Sequence, residues 1–288
     1  MSDQPNWAAG RDRYRRSMGR RAENPNADET DLPAHAFQSD EDRWRFEDTG
    51  VTWGFFDVSK IRSSGVERSR HRFRAHLPEL IWNTAALEGN NFTLPEVKTL
   101  LEGVTVGGKK LEDEQQIIAL SEAYNRLDEM VGTGRFALSK DVSDQLHQLL
   151  ARHEAIEAGS FRGEGRAQGG GTVQLASGGV VVGTEHGEGG VLLREHYANL
   201  VDYLSSLSDP RLRALIYFAS ATRRQFYFDG NKRTARLMMA GELMSSGYDI
   251  VSVPYSRRLE FNNALDVLFD RDEATELLRF LGTCILPE

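Results

Sequence analysis

Residues 225–236 read Gln225-Phe-Tyr-Phe-Asp-Gly-Asn-Lys-Arg-Thr-Ala-Arg236, which brings one carboxylate, a Gly-Asn turn, one lysine and two arginines to the mouth of a helix. Upstream, Leu212, Leu215, Ile216 and Ala219 recur at helical spacing, and downstream Ala235, Met238, Met239 and Leu243 do the same until Gly247 supplies a stop. The polar run therefore joins two helices. Gly230 and Asn231 tolerate left-handed backbone, so the turn can aim successive N–H groups outward, and the helix that follows adds the positive end of its dipole. Such a turn suits phosphate.

Composition bounds the partners. A chain of 288 residues is long enough for one large domain with an appendage or for two small ones. Acidic residues outnumber basic ones 43 to 35, a net charge of −8, so the field of the whole molecule opposes nucleic acid and anionic membranes. A nucleotide would have to be drawn in by a local patch. A single cysteine, Cys284, rules out an intramolecular disulfide framework and a cysteine-rich zinc site and fits a reducing compartment. No apolar stretch approaches the roughly 20 residues that span a membrane, and the polar start lacks the apolar core of a signal peptide. A cytoplasmic location is expected, with no membrane partner, and homo-oligomerisation is left open.

Residues 1–42 read as a polar, disordered tail: Arg11, Arg13, Arg15, Arg16, Arg20 and Arg21 come first, then Glu23, Asp28, Glu29 and Asp31, with few apolar residues. Over 43–77, Trp44, Phe46, Trp53, Phe55 and Phe56 suggest a small packed N-terminal lobe. Arg68, Arg70, His71, Arg72 and Arg74 spread around a helix, which predicts a solvated surface rather than a groove reader. From Pro78, Leu80, Ile81, Thr84, Ala85 and Leu87 share one helical face, with Pro78 in the first turn and Gly89 at the exit. Glu88 then faces the negative end of the helix dipole, a misplacement of roughly 0.3–1 kcal/mol unless a cation answers it. Further helices are expected over about 113–131 and 141–152, and 259–281 looks like one closing helix. His147, among Leu146, Leu149 and Leu150, reads as a core-edge histidine rather than a catalytic one. Between Gly163 and Gly190 the glycine density forbids a stable helix. There Thr172–Leu175 alternates, 177–179 supplies a turn and Val180–Val182 returns, so a hairpin is expected.

The run from Gln225 to Arg236 resembles the signature of the Fic family (filamentation induced by cAMP, with its death-on-curing branch), His-x-Phe-x-Asp/Glu-Gly-Asn-Gly/Lys-Arg-x-x-Arg, in every polar position except the first. Thr84-Ala-Ala-Leu-Glu88-Gly89-Asn90 resembles the inhibitory pattern of the same family, Ser/Thr-x-x-x-Glu-Gly/Asn. The likeness extends over about 78–285. It implies an all-α fold, a Fic-type helical bundle with a small β-hairpin flap, in which the inhibitory helix spans about 78–89, the flap about 163–190 and the signature loop 225–236. It also implies ATP and Mg²⁺ as cofactors, and a protein target whose backbone docks on the open edge of the flap by strand addition. A flexible linker is the plainer alternative for that glycine-rich stretch.

Roles then follow from chemistry and resemblance together. Asp229 is a hard oxygen ligand suited to Mg²⁺. Gly230 and Asn231 would form an anion hole, while Arg233 and Arg236, three apart on one helical face, would hold the β- and γ-phosphates. Glu88 would pair with Arg236 and close the γ-phosphate position. Lys232 resembles the death-on-curing branch, where the transferred group is phosphate. In the family the first signature residue is a histidine that takes the proton of the attacking hydroxyl. Gln225 stands there instead, and an amide has no lone pair basic enough to do this near neutral pH, unlike imidazole with its pKa of roughly 6.5. Two classes compete: an enzyme that transfers AMP or phosphate from Mg·ATP to a protein hydroxyl, and a binding module that holds a nucleotide or a partner without turnover. A nucleotide-binding protein whose adenylyltransferase site is impaired by Gln225 and restrained by Glu88 is expected, the alternatives being an active transferase with a non-histidine base and a non-catalytic binding module. His153-Glu154 lacks the second histidine of a zinc protease motif and is set aside, as is Gly163–Gly169, whose spacing is wrong for a dinucleotide fingerprint.

Overall fold

Pro210–Arg224 and Asn231–Ser245 form two helices that carry apolar residues on nearly every face, and the remaining elements wrap around them. The computed structural model describes residues 37, 39–175 and 178–286; most of the expected tail over 1–42, and Ser177 of the expected hairpin turn, lie outside the described residues. In chain order the helices are α1 (Asp40–Thr49), α2 (Val66–Ala75), α3 (Leu77–Leu87), α4 (Leu94–Leu101), α5 (Leu111–Gly132) and α6 (Lys140–Ala151), followed by strands β1 (Thr172–Gln174) and β2 (Val180–Val182). Then come α7 (Val191–Ser205), α8 (Pro210–Arg224), α9 (Asn231–Ser245), α10 (Arg258–Arg271) and α11 (Thr275–Leu281). The fold is all-α apart from that two-stranded antiparallel hairpin, in which Thr172 faces Val182 and Gln174 faces Val180.

Local chemistry sets the helix starts. The side chains of Ser39, Ser139 and Asp209 accept from backbone N–H groups in the first turns of α1, α6 and α8, and Glu96 accepts from the Thr93 N–H ahead of α4; such caps contribute about 1 kcal/mol each. Pro78, Pro95 and Pro210 stand in the first turns of α3, α4 and α8, where a missing N–H costs no helical bond.

The central pair buries Leu215, Ile216, Tyr217 and Phe218 from α8 and Leu237, Met238, Met239, Leu243 and Met244 from α9. A helix apolar all round must be enclosed. Accordingly α2, α5 and α6 pack on α9, while α7, α10 and α11 pack on α8. Val51, Phe56, Val58, Ile61 and Phe73, from the segment read as an N-terminal lobe, are buried in the same core.

Two readings are corrected. The closing helix is two, α10 and α11, because Asp272 adopts φ 55° and turns the chain between them; its neighbours Glu273 and Thr275 make a local hydrogen bond that starts α11. The basic strip of α2 is not simply solvated. Arg70 and Arg74 share Asp128 of α5, and Arg72 pairs with the buried Asp249, so the strip fastens α2 to its neighbours.

Candidate functional site

Helix α8 ends where Gln225 takes up left-handed backbone, φ 54° and ψ 61°, a conformation of about 1–2 kcal/mol for a residue with a Cβ. Its surroundings hold it there. The Arg162 Nε donates to the Gln225 carbonyl at 2.6 Å, and the same buried guanidinium reaches the carbonyls of Thr184 and Gly170. Burial alone lowers the Arg162 pKa to about 10, so it stays charged at neutral pH and ties the base of the hairpin to the loop. The sequence reading gave Arg162 no role; its signal was an arginine directly after the buried Phe161.

The Gln225 side chain is committed at both ends. Its Nε2 donates to the Thr222 carbonyl at 2.7 Å, and its Oε1 accepts from the Asn231 Nδ2 at 3.0 Å. Asn231 also donates to the Tyr227 carbonyl and accepts from the Tyr227 N–H, both at 2.8 Å. The amide of Asn231 thus closes the loop from inside. Gly230, at φ 75°, permits the turn into α9; a Cβ there would meet Ala151 and Leu150 at 3.2 Å.

Helix α6 supports the loop from below. His147 is fully buried rather than at the core edge. Its Nε2 donates to the Asp229 carbonyl and its Nδ1 accepts from the Gly159 N–H, both at 2.8 Å, which fixes the neutral tautomer. The ring stacks on Tyr227 with centroids 3.7 Å apart, and burial lowers its pKa to about 4. The hydroxyl of Tyr227, which a buried phenol must satisfy, donates to Asp144 Oδ1 and lies 2.7 Å from Ser143 Oγ.

Lys232 and Arg233 line a cavity of about 230 Å³, together with Glu88, Thr172, Gln174, Gln225 and Asp229, among others. Glu88, the residue that ends α3, lies 3.1 Å from Arg236 Nη1 and 3.0 Å from Lys232 Nζ. The lysine was not anticipated as a partner. Burial pushes the Glu88 carboxyl upward, yet the charges of Lys232, Arg236 and Arg233 outweigh it and hold the group at about 2. Thr84 sits one turn earlier, its Oγ1 2.7 Å from the Tyr124 hydroxyl, and anchors α3 to α5; Gly89, at φ 89°, turns the chain away.

Arg233 is 3 % exposed and pairs through Nη2 with Glu154 at 2.6 Å, while its Nη1 is buried without a partner. Arg236 likewise keeps Nε and Nη2 buried and unpartnered. Buried guanidinium nitrogens left in this way cost free energy until an acceptor reaches them. Asp229 is 61 % exposed at its side chain, with Oδ1 accepting from the Gly230 N–H at 2.6 Å. No group of three or more His, Cys, Asp or Glu able to hold a metal occurs among the described residues. A magnesium ion taken up by Asp229 would therefore draw most of its ligands from phosphate oxygens and water, as this ion commonly does. The residues fit a magnesium–phosphate guest and not a metal cage.

No protein-family model matches the chain. It is 25 % identical over 230 residues to a protein adenylyltransferase Fic of Drosophila ananassae, covering 79 % of this chain and 44 % of that protein. It is 28 % identical over 194 residues to protein adenylyltransferase fic-1 of Caenorhabditis briggsae, covering 65 % of this chain and 36 % of that protein. The chain thus spans less than half the length of these relatives. Among solved structures, Fic-1 (residues 134–508) of C. elegans superposes with a TM-score of 0.60 at 22 % identity, covering 76 % of this chain and 67 % of that one. A Fic domain-containing signalling protein of Bacteroides thetaiotaomicron gives the same score at 21 % identity, covering 79 % and 88 %. The fold is that of the Fic helical bundle.

Proposed function

We propose that this chain is a Fic-type protein that binds Mg·ATP on the loop from Asp229 to Arg236, with an adenylyl-transfer site restrained by Glu88 and impaired by Gln225. The observation that carries it is the pair of buried arginines at the start of α9, both with unpartnered nitrogens, beside which Glu88 pairs with Arg236 and Lys232. Glu88 supplies there the negative charge that a terminal phosphate would supply. Similarity to the adenylyltransferases supports ATP as the nucleotide, and Asp229 is the residue that would hold Mg²⁺.

Adenylyl transfer joins the oxygen of a target hydroxyl to the α-phosphorus, breaks the bond to the β-phosphate and releases pyrophosphate. Arg233 and Arg236 would stabilise the charge that moves onto the leaving group. The hydroxyl proton needs an acceptor, and Gln225 offers none, since its Oε1 already accepts from Asn231 and its Nε2 donates to Thr222. Loss of a general base lowers the rate by about 10²–10⁴ while positioning and charge neutralisation survive. A slow enzyme or a nucleotide-dependent binding protein is the result, and the doubly committed amide favours binding. A protein target would dock along the hairpin, where β1 lines the cavity and Val180 and Val182 of β2 are exposed.

Calorimetry with Mg·ATP on the Arg233→Ala and Asp229→Ala variants tests the assignment. Affinity should fall about tenfold or more in each, the loss of a charge-assisted contact. Unchanged affinity in both would overturn the site.

A further inference from the structure

We propose that Glu154 is a positioning residue for Arg233, holding the guanidinium through Nη2 so that Nη1 is presented to the anion in the cavity. The inference rests on the nucleotide-binding reading above. Three carboxylates reach the arginines of α9: Glu88, Glu154 and, at 3.6 Å from Arg233 Nη2, the cavity-lining Asp229; they stand in different places. Glu88 lines the cavity together with Lys232 and Arg233, whereas Glu154 does not line it. A carboxylate that competed with phosphate would sit where phosphate sits, as Glu88 does.

Glu154 lies in the turn after α6, its N–H donating to the Ala151 carbonyl. Both of its oxygens are engaged: Oε2 accepts from Arg233 Nη2 at 2.6 Å, and Oε1 accepts from the Gln116 Nε2 of α5 at 3.0 Å. Gln116 in turn accepts from Asn90 Nδ2 at 2.9 Å, two residues beyond Glu88. An arginine side chain samples many rotamers, and a partner that fixes its planar fork leaves less ordering for the ligand to impose. The negative charge of Glu154 also weakens the attraction of Arg233 for an anion, so the two effects oppose each other. The arrangement favours positioning, because Arg233 lines the cavity and Glu154 does not, and the nitrogen that Glu154 leaves free has no other acceptor.

The test is calorimetric titration with Mg·ATP of the full chain carrying Glu88→Gly, with Glu154→Gln, Arg233→Ala and both added. Glu154→Gln should weaken binding about tenfold, the weight of one hydrogen bond to a charged group, and the double change should bind no more weakly than Arg233→Ala alone. Tighter binding by Glu154→Gln would make Glu154 a competitor and overturn the proposal. So would unchanged affinity, or a loss that persists when Arg233 is already alanine. If Glu154→Gln does not fold, Gln116→Leu carries the same test: it removes the donor to Oε1, should weaken binding by a smaller factor that Arg233→Ala abolishes, and no loss would overturn the proposal. Unaltered affinity in Arg233→Ala would remove the nucleotide reading itself, whereas a loss there with none in Glu154→Gln would overturn the positioning role alone.

Discussion

Glu88 keeps its charge among three cations, and that charge makes the site sensitive to acid. Its carboxyl is held at about 2 against 4.5 in an unfolded chain, burial being outweighed by Lys232, Arg236 and Arg233. The stabilisation is therefore full above pH 4.5 and is lost as pH falls through 2, an amount of about 3 kcal/mol. Urea unfolding at a series of pH values should show the stability gap between wild type and Glu88→Gln narrowing over that window. A gap that stays constant would mean that the carboxylate is not held by these cations. Glu88 and Arg236 were legible in the sequence because motif spacing marked them. Lys232 and Glu154 were not legible as ion-pair partners, since their pairings join residues far apart in the chain and only helix packing brings them together. The commitment of both ends of the Gln225 amide was hidden for the same reason: it depends on the turn that returns Asn231 to the end of α8.

At the scale of elements, α6 and the hairpin set the shape of the loop. His147 on α6 is buried with its pKa lowered to about 4, and His196 on α7 is lowered to about 3, burial being the main cause in both. An unfolded histidine takes up a proton near pH 6.5 that these two cannot. Stability is thus full above pH 6.5 and declines as pH falls toward 4, and His147→Gln should flatten part of that decline in the same unfolding series. A slope identical to wild type would mean that His147 is protonated in the folded state. On the other side, Gly183 lies against the loop, where a Cβ would come within 2.7 Å of Gln225 Cβ and 3.0 Å of the Gly171 carbonyl. Gly183→Ala should cost about 1–3 kcal/mol and loosen the hairpin, read as faster proteolysis near residues 163–190; unaltered stability would show that the hairpin base is not packed on the loop. The hairpin was readable from alternation and glycine. The break between α10 and α11 was not, because an aspartate takes up left-handed backbone only occasionally and apolar spacing continues across Asp272.

For the whole molecule, a net charge of −8 makes the cationic start of α9 a local exception to the field of the chain. No described helix is long and apolar enough to cross a membrane. The all-α class came with the family resemblance that the two motifs carry, while helical spacing marked individual helices; how α8 and α9 are enclosed depended on packing that spacing alone does not specify. On the proposed function, an intact phosphate site lacks only its base. The most direct test of this is incubation of the full chain with ATP labelled on the α-phosphate, comparing Glu88→Gly with Glu88→Gly plus Gln225→His, followed by mass analysis of the protein. Imidazole at position 225 should raise label incorporation by about 10²–10⁴, as a mass increase of one adenylyl group on a hydroxyl side chain. Equal incorporation by both, or none from the histidine variant despite measured Mg·ATP binding, would contradict it.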